Sequence, residues 1–462
     1  MNPTSRPSLG PFASIAELGL ALRSGETTCL AILDDYLARI DHLDGEIRAW
    51  VVVDRAGARE QAVRLDDSLA TGEDHGPLHG IPIAIKDIID VAGLPTGCGS
   101  ARWAARLAGS DADVVVRLRQ AGAVIMGKTV TTPYAWVDPP RTRNPWNLER
   151  TPGGSSSGSA AAVAAGMCAG AIGSQTGGSI IRPASFCGVA GLKPTRGAIS
   201  TRGVFPLARS LDHVGPIARS VVDLAAIFHA IEPSGLPLAN SLANRPPRIG
   251  RLGGYFDRRL DPDARLAINH ALAALSEAGA TVIDHEGPLD FDAVMLDHRR
   301  VMAHEAAELH SDWLAQYPDD YPPRIRSLIL EGQSIANDEY RRSRDTIETA
   351  AGIVHQALSL GRYDALITPA TTGPAPDPST TGDPAFNSPF SFTGNPCVSF
   401  PVGLAPDGPP LALQLIGARD RDLELLECAR WCEQAIHVRG LWRTAPPPMA
   451  AKTPETSRRR RS

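Results

Sequence analysis

The chain has 462 residues, 43% of them hydrophobic and 21% charged, with 43 Gly and 39 Pro in no periodic arrangement. That composition excludes a mostly disordered chain and a collagen-like one. The length suits two or three small domains or one large α/β unit. Net charge is −5, and the four arginines at 458–461 offset an otherwise more acidic body near −9. Such a body is a poor electrostatic match for a nucleic-acid backbone.

The chain begins with a loose arm over 1–13. Ser14 and Glu17 have the spacing of a capping box and open a helix. A second helical pattern covers Cys29 to Leu43. Residues 80–90, Gly-Ile-Pro-Ile-Ala-Ile-Lys-Asp-Ile-Ile-Asp, form a near-continuous β-branched run, the mark of a strand buried on both faces. A helix over 111–121 and a short strand over 123–126 continue the α/β rhythm. From Asn144 to Thr201 the chain is dense in Gly, Ser, Ala and Thr. Its most apolar stretch, 160–172, is too short to span a membrane and reads as a buried helix. Beyond it, helices near 262–279, 296–315, 336–360 and 420–436 alternate with strands near 247–252, 281–284, 364–368 and 411–416. The stretch 369–389, rich in Pro, Gly, Thr and Ser, is a long loop of the kind that often carries function. The Arg-rich end, 446–462, is expected to be a disordered tail, solvated or touching acidic partners.

The seven cysteines are odd in number and widely spaced, with no CxxC pair, which fits reduced, buried thiols in a cytoplasmic protein. Cys428 and Cys432 share one helix face. No targeting segment is visible at the start.

Only four lysines occur among 46 basic residues: Lys86, Lys128, Lys193 and Lys452. Lysine can lose its proton when buried and arginine cannot. Lys86 lies in the middle of the buried run at 80–90. A protonated amine there is costly unless paired, so Lys86 is a base with a depressed pKa, a lysine snorkelling from a strand end, or a partner of Asp87. Gly153-Gly-Ser-Ser-Ser-Gly-Ser159 enters the Ala-rich segment and can cradle an anion on backbone N–H groups, unless it is a plain linker. Thr176-Gly-Gly-Ser-Ile-Ile-Arg-Pro183 is a second small-residue turn, able to converge N–H groups beside a serine.

Two motifs carry less than their letters suggest. Gly122 to Thr129 satisfies the Walker A spacing, but Ala, Val, Ile and Met fill it and make a strand rather than a phosphate loop. His304 and His310 lie six apart, which fails the zinc-helix pattern and reads as a surface helix.

Lys86, GGSSSGSAAA at 153–162 and QTGGSIIRPASFCGVAGLKPT at 175–195 together resemble the amidase signature family. TRNPWN at 142–147, SLDHVGP at 210–216 and GNPCVSFPVG at 394–403 support the match, which runs from about 14 to 437. The resemblance implies an α/β amidase signature fold: one domain over 14–445, with a large mixed β-sheet covered by helices on both sides. It implies an amidohydrolase that cleaves the C–N bond of small amides to carboxylate and ammonia. Carried over by motif, Ser179 is the nucleophile of an acyl-enzyme, Ser155 the bridging serine after a cis peptide, and Lys86 the base. Thr176, Gly177 and Gly178, with the N–H of Ser179, form the oxyanion hole. Gln175, Ser156 and Arg182 are the substrate-binding residues. No cofactor and no metal are implied.

The Ile180-Ile181-Arg182 register and TGDPAFN at 381–387 look closest to the malonamidase-like branch. There the arginine matching Arg182 holds a substrate carboxylate, as in malonamate; Arg182 could equally pair with a protein carboxylate. Pocket walls are expected from 134–139, the segment near Arg209, and 381–396. The expected partners are a small-molecule amide and, by analogy, a second copy of the chain, with no nucleic acid and no membrane. The alternative is the glutaminase subunit of a tRNA-dependent amidotransferase. A fold kept without activity and a Gly-loop nucleotide binder are more distant readings.

Overall fold

The computed structural model of the protein describes residues 9–233, 235, 245–442 and 446. Most of the expected tail, including the four terminal arginines, and the first eight residues of the arm lie outside the described residues.

Eleven strands build one mixed sheet: β1 (Trp50–Val53), β2 (Pro82–Lys86), β3 (Val124–Thr129), β4 (Gly170–Gln175), β5 (Ala190–Lys193), β6 (His213–Ala218), β7 (Arg248–Leu252), β8 (Thr281–His285), β9 (Ala365–Pro369), β10 (Cys397–Leu404) and β11 (Pro410–Ile416). They lie side by side in the order β1-β3-β2-β4-β6-β5-β10-β11-β9-β7-β8. Pairing is parallel between β2 and β3, β2 and β4, β7 and β8, and β7 and β9. The other neighbours are antiparallel. Fourteen α-helices among the described residues accompany the sheet. Strands β2 to β6, β9 and β11 are buried at every residue. Cover on both faces explains why they read as unbroken apolar runs rather than alternating ones.

The later helices and strands match the sequence periodicity within a few residues, and the Ser14–Glu17 capping box is formed. Three expectations change. The apolar stretch at 160–172 is not one helix. Its first part belongs to the helix Ser157–Ala164 and its last part to β4, with Gly166 at φ +67° between them. An Ala/Gly run has no side-chain periodicity to separate the two, so packing decides. The run at 80–90 ends as a strand at Lys86. The helix carrying His304 and His310, Phe291–Gln316, is not a surface helix: both histidines are buried. His304 stacks on Tyr340 and meets Asn337 Oδ1, and His310 meets the Tyr321 hydroxyl. The Walker-like segment is β3, buried throughout.

Two features place the site. Strands β2 and β4 run parallel in the register Ile85↔Ile172, so Lys86 and the loop after Gln175 emerge at the same sheet end. The carboxyl ends of parallel strands are where open α/β sheets place their clefts. The helix Ser157–Ala164, all buried, starts just after the Gly153–Ser155 turn and packs tightly on the sheet. A Cβ at Gly158 would lie 2.2 Å from the Ala49 carbonyl oxygen, so only glycine allows this approach.

Candidate active site

Lys86 is fully buried. Its Nζ donates to Ser155 Oγ at 2.7 Å and to Ser174 Oγ at 2.8 Å, with the Ser174 carbonyl at 3.5 Å. Among the described residues no carboxylate lies within ion-pair distance of it, and Asp87 pairs with Lys128 instead. Burial therefore holds its pKa well below the usual lysine value, opposed only by the field of Asp212. Asp212 is itself buried, and burial pushes its carboxyl up to about 6. It accepts from Thr176 Oγ1 at 2.5 Å and from the N–H groups of Leu207 and Ala208. The Gly154–Ser155 peptide bond is cis.

The loop 176–179 is oriented by its carbonyls. Thr176 O accepts from His298 Nε2 at 3.0 Å, Gly177 O from Ser391 Oγ at 2.6 Å, Gly178 O from Arg182 N at 2.9 Å, and Ser179 O from Ser156 N at 3.3 Å. With all four carbonyls held, the four N–H groups have no acceptor among the described residues. A buried donor without a partner is costly, so such a loop is set up to receive one. A Cβ at Gly178 would stand 2.6 Å from Asn387 Oδ1 and would displace that buried side chain, which is tied to the Ala370 carbonyl.

These groups border a cavity of about 130 Å³ lined by Thr176, Gly177, Gly178, Ser179 and Arg182. Its far wall comes from Ala135, Trp136 and Val137, from Pro384 and Ser388, and from Met295, His298, Arg299 and Met302. Tyr134 and Ala135 are held at φ +51° and +60°, a strained region for non-glycine residues. The Tyr134 hydroxyl donates to Asp320, and its ring stacks on Tyr321 at 4.6 Å, which fixes that wall. Arg209 lines an adjoining cavity of about 50 Å³ that shares Ala135, Thr176 and Leu207.

Arg182 is 1% exposed. One guanidinium nitrogen donates to the Gly154 carbonyl at 2.8 Å and to Thr381 Oγ1 at 3.3 Å. Nε and Nη1 have no partner, and no carboxylate pairs with it within 4 Å among the described residues. Burial lowers its pKa to about 10 against the field of Asp383. The alternative in which a protein carboxylate neutralises Arg182 is thus not what forms.

Two other expected substrate-binding residues lie behind the cavity. The Gln175 carbonyl oxygen accepts from Ile180 N and Ile181 N, and its amide nitrogen donates to Ser391 Oγ. Ser156 Oγ donates to the Ser174 carbonyl and accepts from Ser174 N. Both are wholly buried, and their hydrogen-bonding capacity is taken by protein, so they brace the loop and β4 rather than face a ligand. Sequence reading missed the cavity residues of the helix Phe291–Gln316. They come from a segment far from every motif, and four-residue helical spacing gives no chemical signal. Asp212 lay within the quoted SLDHVGP segment but drew no role. Among the described residues, no group of three or more His, Cys, Asp or Glu side chains gathers as a metal site. All seven cysteines are free and buried.

A buried lysine on serine hydroxyls and a loop of N–H groups without acceptors thus meet at one end of a mixed eleven-stranded sheet. The chain belongs to the amidase signature family: residues 31–426 match the family described as Amidase. It is 34% identical to a glutamyl-tRNA(Gln) amidotransferase subunit of Symbiobacterium thermophilum, over 92% of this chain and 96% of that one. A solved structure described as part of a vestigial protein complex bearing on the origins of an s-triazine catabolic enzyme is 31% identical. It covers 94% of this chain and 100% of its own, with a TM-score of 0.85. The peptide amidase of Stenotrophomonas maltophilia is 29% identical over 94% of this chain and 98% of its own, with a TM-score of 0.81. The protein is a hydrolase acting on amide C–N bonds.

The relatives correct the expected partners. A small-molecule amide alone, nucleic acid excluded, does not stand beside relatives named as components of a tRNA amidotransferase. Net charge averages over the whole surface, whereas recognition depends on local patches and on neighbouring chains. No helix among the described residues is long and apolar enough to cross a membrane.

Proposed function

We propose that the chain releases ammonia from a carboxylate-bearing amide, glutamine, as the amidase component of an assembly like that of its amidotransferase relatives. Ser179 attacks the amide carbonyl, and its proton passes through Ser155 to the neutral Nζ of Lys86. The carbonyl oxygen gains negative charge against the N–H groups of the 176–179 loop. The tetrahedral centre collapses, the C–N bond breaks, and the departing nitrogen takes the proton to leave as ammonia. Water, deprotonated by the same relay, then cleaves the Ser179 ester and restores the hydroxyl. A cytoplasmic location agrees with this reading.

The observation that carries it is Lys86: a buried amine whose partners are hydroxyl and carbonyl groups and not carboxylates. An amine kept neutral by burial is a base near neutral pH. Arg182 lines the cavity, and its Nε and Nη1, buried and without a protein partner, become donors for the substrate carboxylate once the guanidinium shifts toward it.

A second reading, a free-standing hydrolase of malonamate-like acids, is favoured by the small cavity that holds Arg182 beside Ser179. Ammonia release from glutamine, asparagine, malonamate and acetamide separates the two. Glutamine is expected to lead, with turnover abolished in Ser179→Ala. A malonamate rate tenfold above glutamine would select the second reading. Equal ammonia release by Ser179→Ala and wild type would remove Ser179 from its role.

A further inference from the structure

His298 occupies a position that neither the motifs nor the proposed relay uses. It lies on the helix Phe291–Gln316, is 3% exposed and lines the Ser179 cavity. Its Nε2 stands 3.0 Å from the Thr176 carbonyl oxygen. A carbonyl oxygen can only accept, so Nε2 carries the hydrogen of that bond. Burial pushes the imidazole down to about 4, which leaves the ring neutral near pH 7. A neutral imidazole with its hydrogen on Nε2 has a bare lone pair on Nδ1. Nδ1 has no donor among the described residues, and it does not belong to the buried atoms left without a partner, so it keeps slight exposure on a ring that lines the cavity. The ring edge is close to the proposed oxyanion loop: Cε1 lies 3.6 Å from where a Gly177 side chain would begin.

Much of the rest of the lining is apolar, from Ala135, Val137, Leu207, Met295, Met302 and Pro384, and besides the hydroxyls of Ser179 and Ser388 its polar groups are donors. The 176–179 N–H groups and the Arg182 guanidinium can only donate, and Arg299 is held by Glu331. These donors suit a carbonyl and a carboxylate, but an amide also brings N–H groups. We propose that His298 is a substrate-recognition residue whose Nδ1 accepts an N–H of the bound amide, in a tautomer fixed by the Thr176 carbonyl. The site would then read both halves of the amide group, oxygen by the loop and nitrogen-bound hydrogen by His298. A site built around a bare acceptor disfavours a ligand that lacks the donor, because the acceptor is left unpaired. The proposal rests on Ser179 being the nucleophile of this cavity.

The test compares kcat/KM within matched pairs for wild type, His298→Gln and His298→Asn. One pair is glutamine and the γ-methyl ester of glutamate, which differ in the leaving-group N–H. The other is glutamine and glutaramate, which differ in the α-amino N–H. Gln places an N–H near Nε2 and keeps the Thr176 contact without the Nδ1 acceptor. Asn places a carbonyl near Nδ1. The expected result is a preference for glutamine over the ester that collapses about tenfold in His298→Gln and survives in His298→Asn, with the glutamine–glutaramate ratio unchanged. A collapse confined to the glutamine–glutaramate pair would put the acceptor on the α-amino group and overturn the proposal. Unchanged ratios in His298→Gln, or equal losses in both variants across all four measurements, would overturn the proposal. If wild type turns over none of these compounds, the proposed substrate fails, and histidine ¹⁵N spectra of the full chain still decide about His298. A bare Nδ1 that shifts on adding glutamine to Ser179→Ala supports recognition. An Nδ1–H tautomer, a doubly protonated ring near pH 7 or an Nδ1 resonance unmoved by glutamine overturns it.

Discussion

Lys86 and Lys128 stand on neighbouring strands, both fully buried, yet their surroundings make them different groups. Lys128 Nζ lies 3.2 Å from Asp87 Oδ1 and donates to the Pro95 carbonyl and Thr96 Oγ1. Burial lowers its pKa, and the adjacent carboxylate works against that shift. Lys86 meets only hydroxyl and carbonyl oxygens, and burial acts nearly unopposed. Equal burial thus yields an ion pair in one case and, in the other, an amine whose charged form burial disfavours. The partner, not the depth, decides whether a buried lysine can accept a proton.

The comparison can be broken most sharply by activity. Lys86→Met and Ser179→Ala are each expected to lower kcat/KM on the order of 10⁴-fold. Lys86→Arg should fare no better, because guanidinium does not deprotonate. Lys128→Met should leave kcat per folded molecule within a few-fold. If Lys128→Met abolished turnover in a folded protein, the two lysines would not be divided as described.

Stability should show the opposite asymmetry. Lys128→Met leaves Asp87 buried without its cation and is expected to cost about 3–5 kcal/mol in denaturant unfolding, with much of it restored by adding Asp87→Asn. Lys86→Met should be neutral or stabilising near pH 7. The folded-state pKa of Lys86 is depressed below its ordinary 10.5, so between the two values the unfolded chain binds a proton that the native one does not. Stability attributable to Lys86 therefore rises with pH across that window, and the Met variant should lose this slope. A Lys86→Met protein that unfolds as readily as Lys128→Met would count against a neutral native amine.

A smaller effect sharpens the electrostatics. The Asp212 field raises the Lys86 pKa, so Asp212→Asn should move the acid limb of the kcat/KM profile to lower pH. A shift to higher pH would contradict the assignment of that limb to Lys86. Smallest of all is the wall. Tyr134→Phe removes the hydroxyl tie to Asp320 but keeps the ring stack, and should raise KM by about tenfold or less with kcat little changed.

Much of the site was legible because its chemistry is local. The buried run and the scarcity of lysine pointed to Lys86, the resemblance to the amidase signature family picked out Ser155 and Ser179, and the structure brings the lysine onto Ser155. Arg182 was legible as a cavity cation. Gln175 and Ser156 were misjudged because adjacency in a motif does not say which way a side chain turns, and theirs turn into the protein. The long helices and late strands were legible through their 3.6 and 2-residue periods. The Ala/Gly run at 160–172 was not, since small side chains carry no such signal.

The sequence by itself determined the family, the reactive residue types and the buried character of the sheet, because these depend on which residues stand near one another along the chain. Only the tertiary structure decided that Lys128 has a carboxylate and Lys86 has none. Only it could turn His298 toward Ser179, from a helix more than a hundred residues away. Charge state and tautomer depend on neighbours in space, and those neighbours are set by how the sheet and helices close around the cavity.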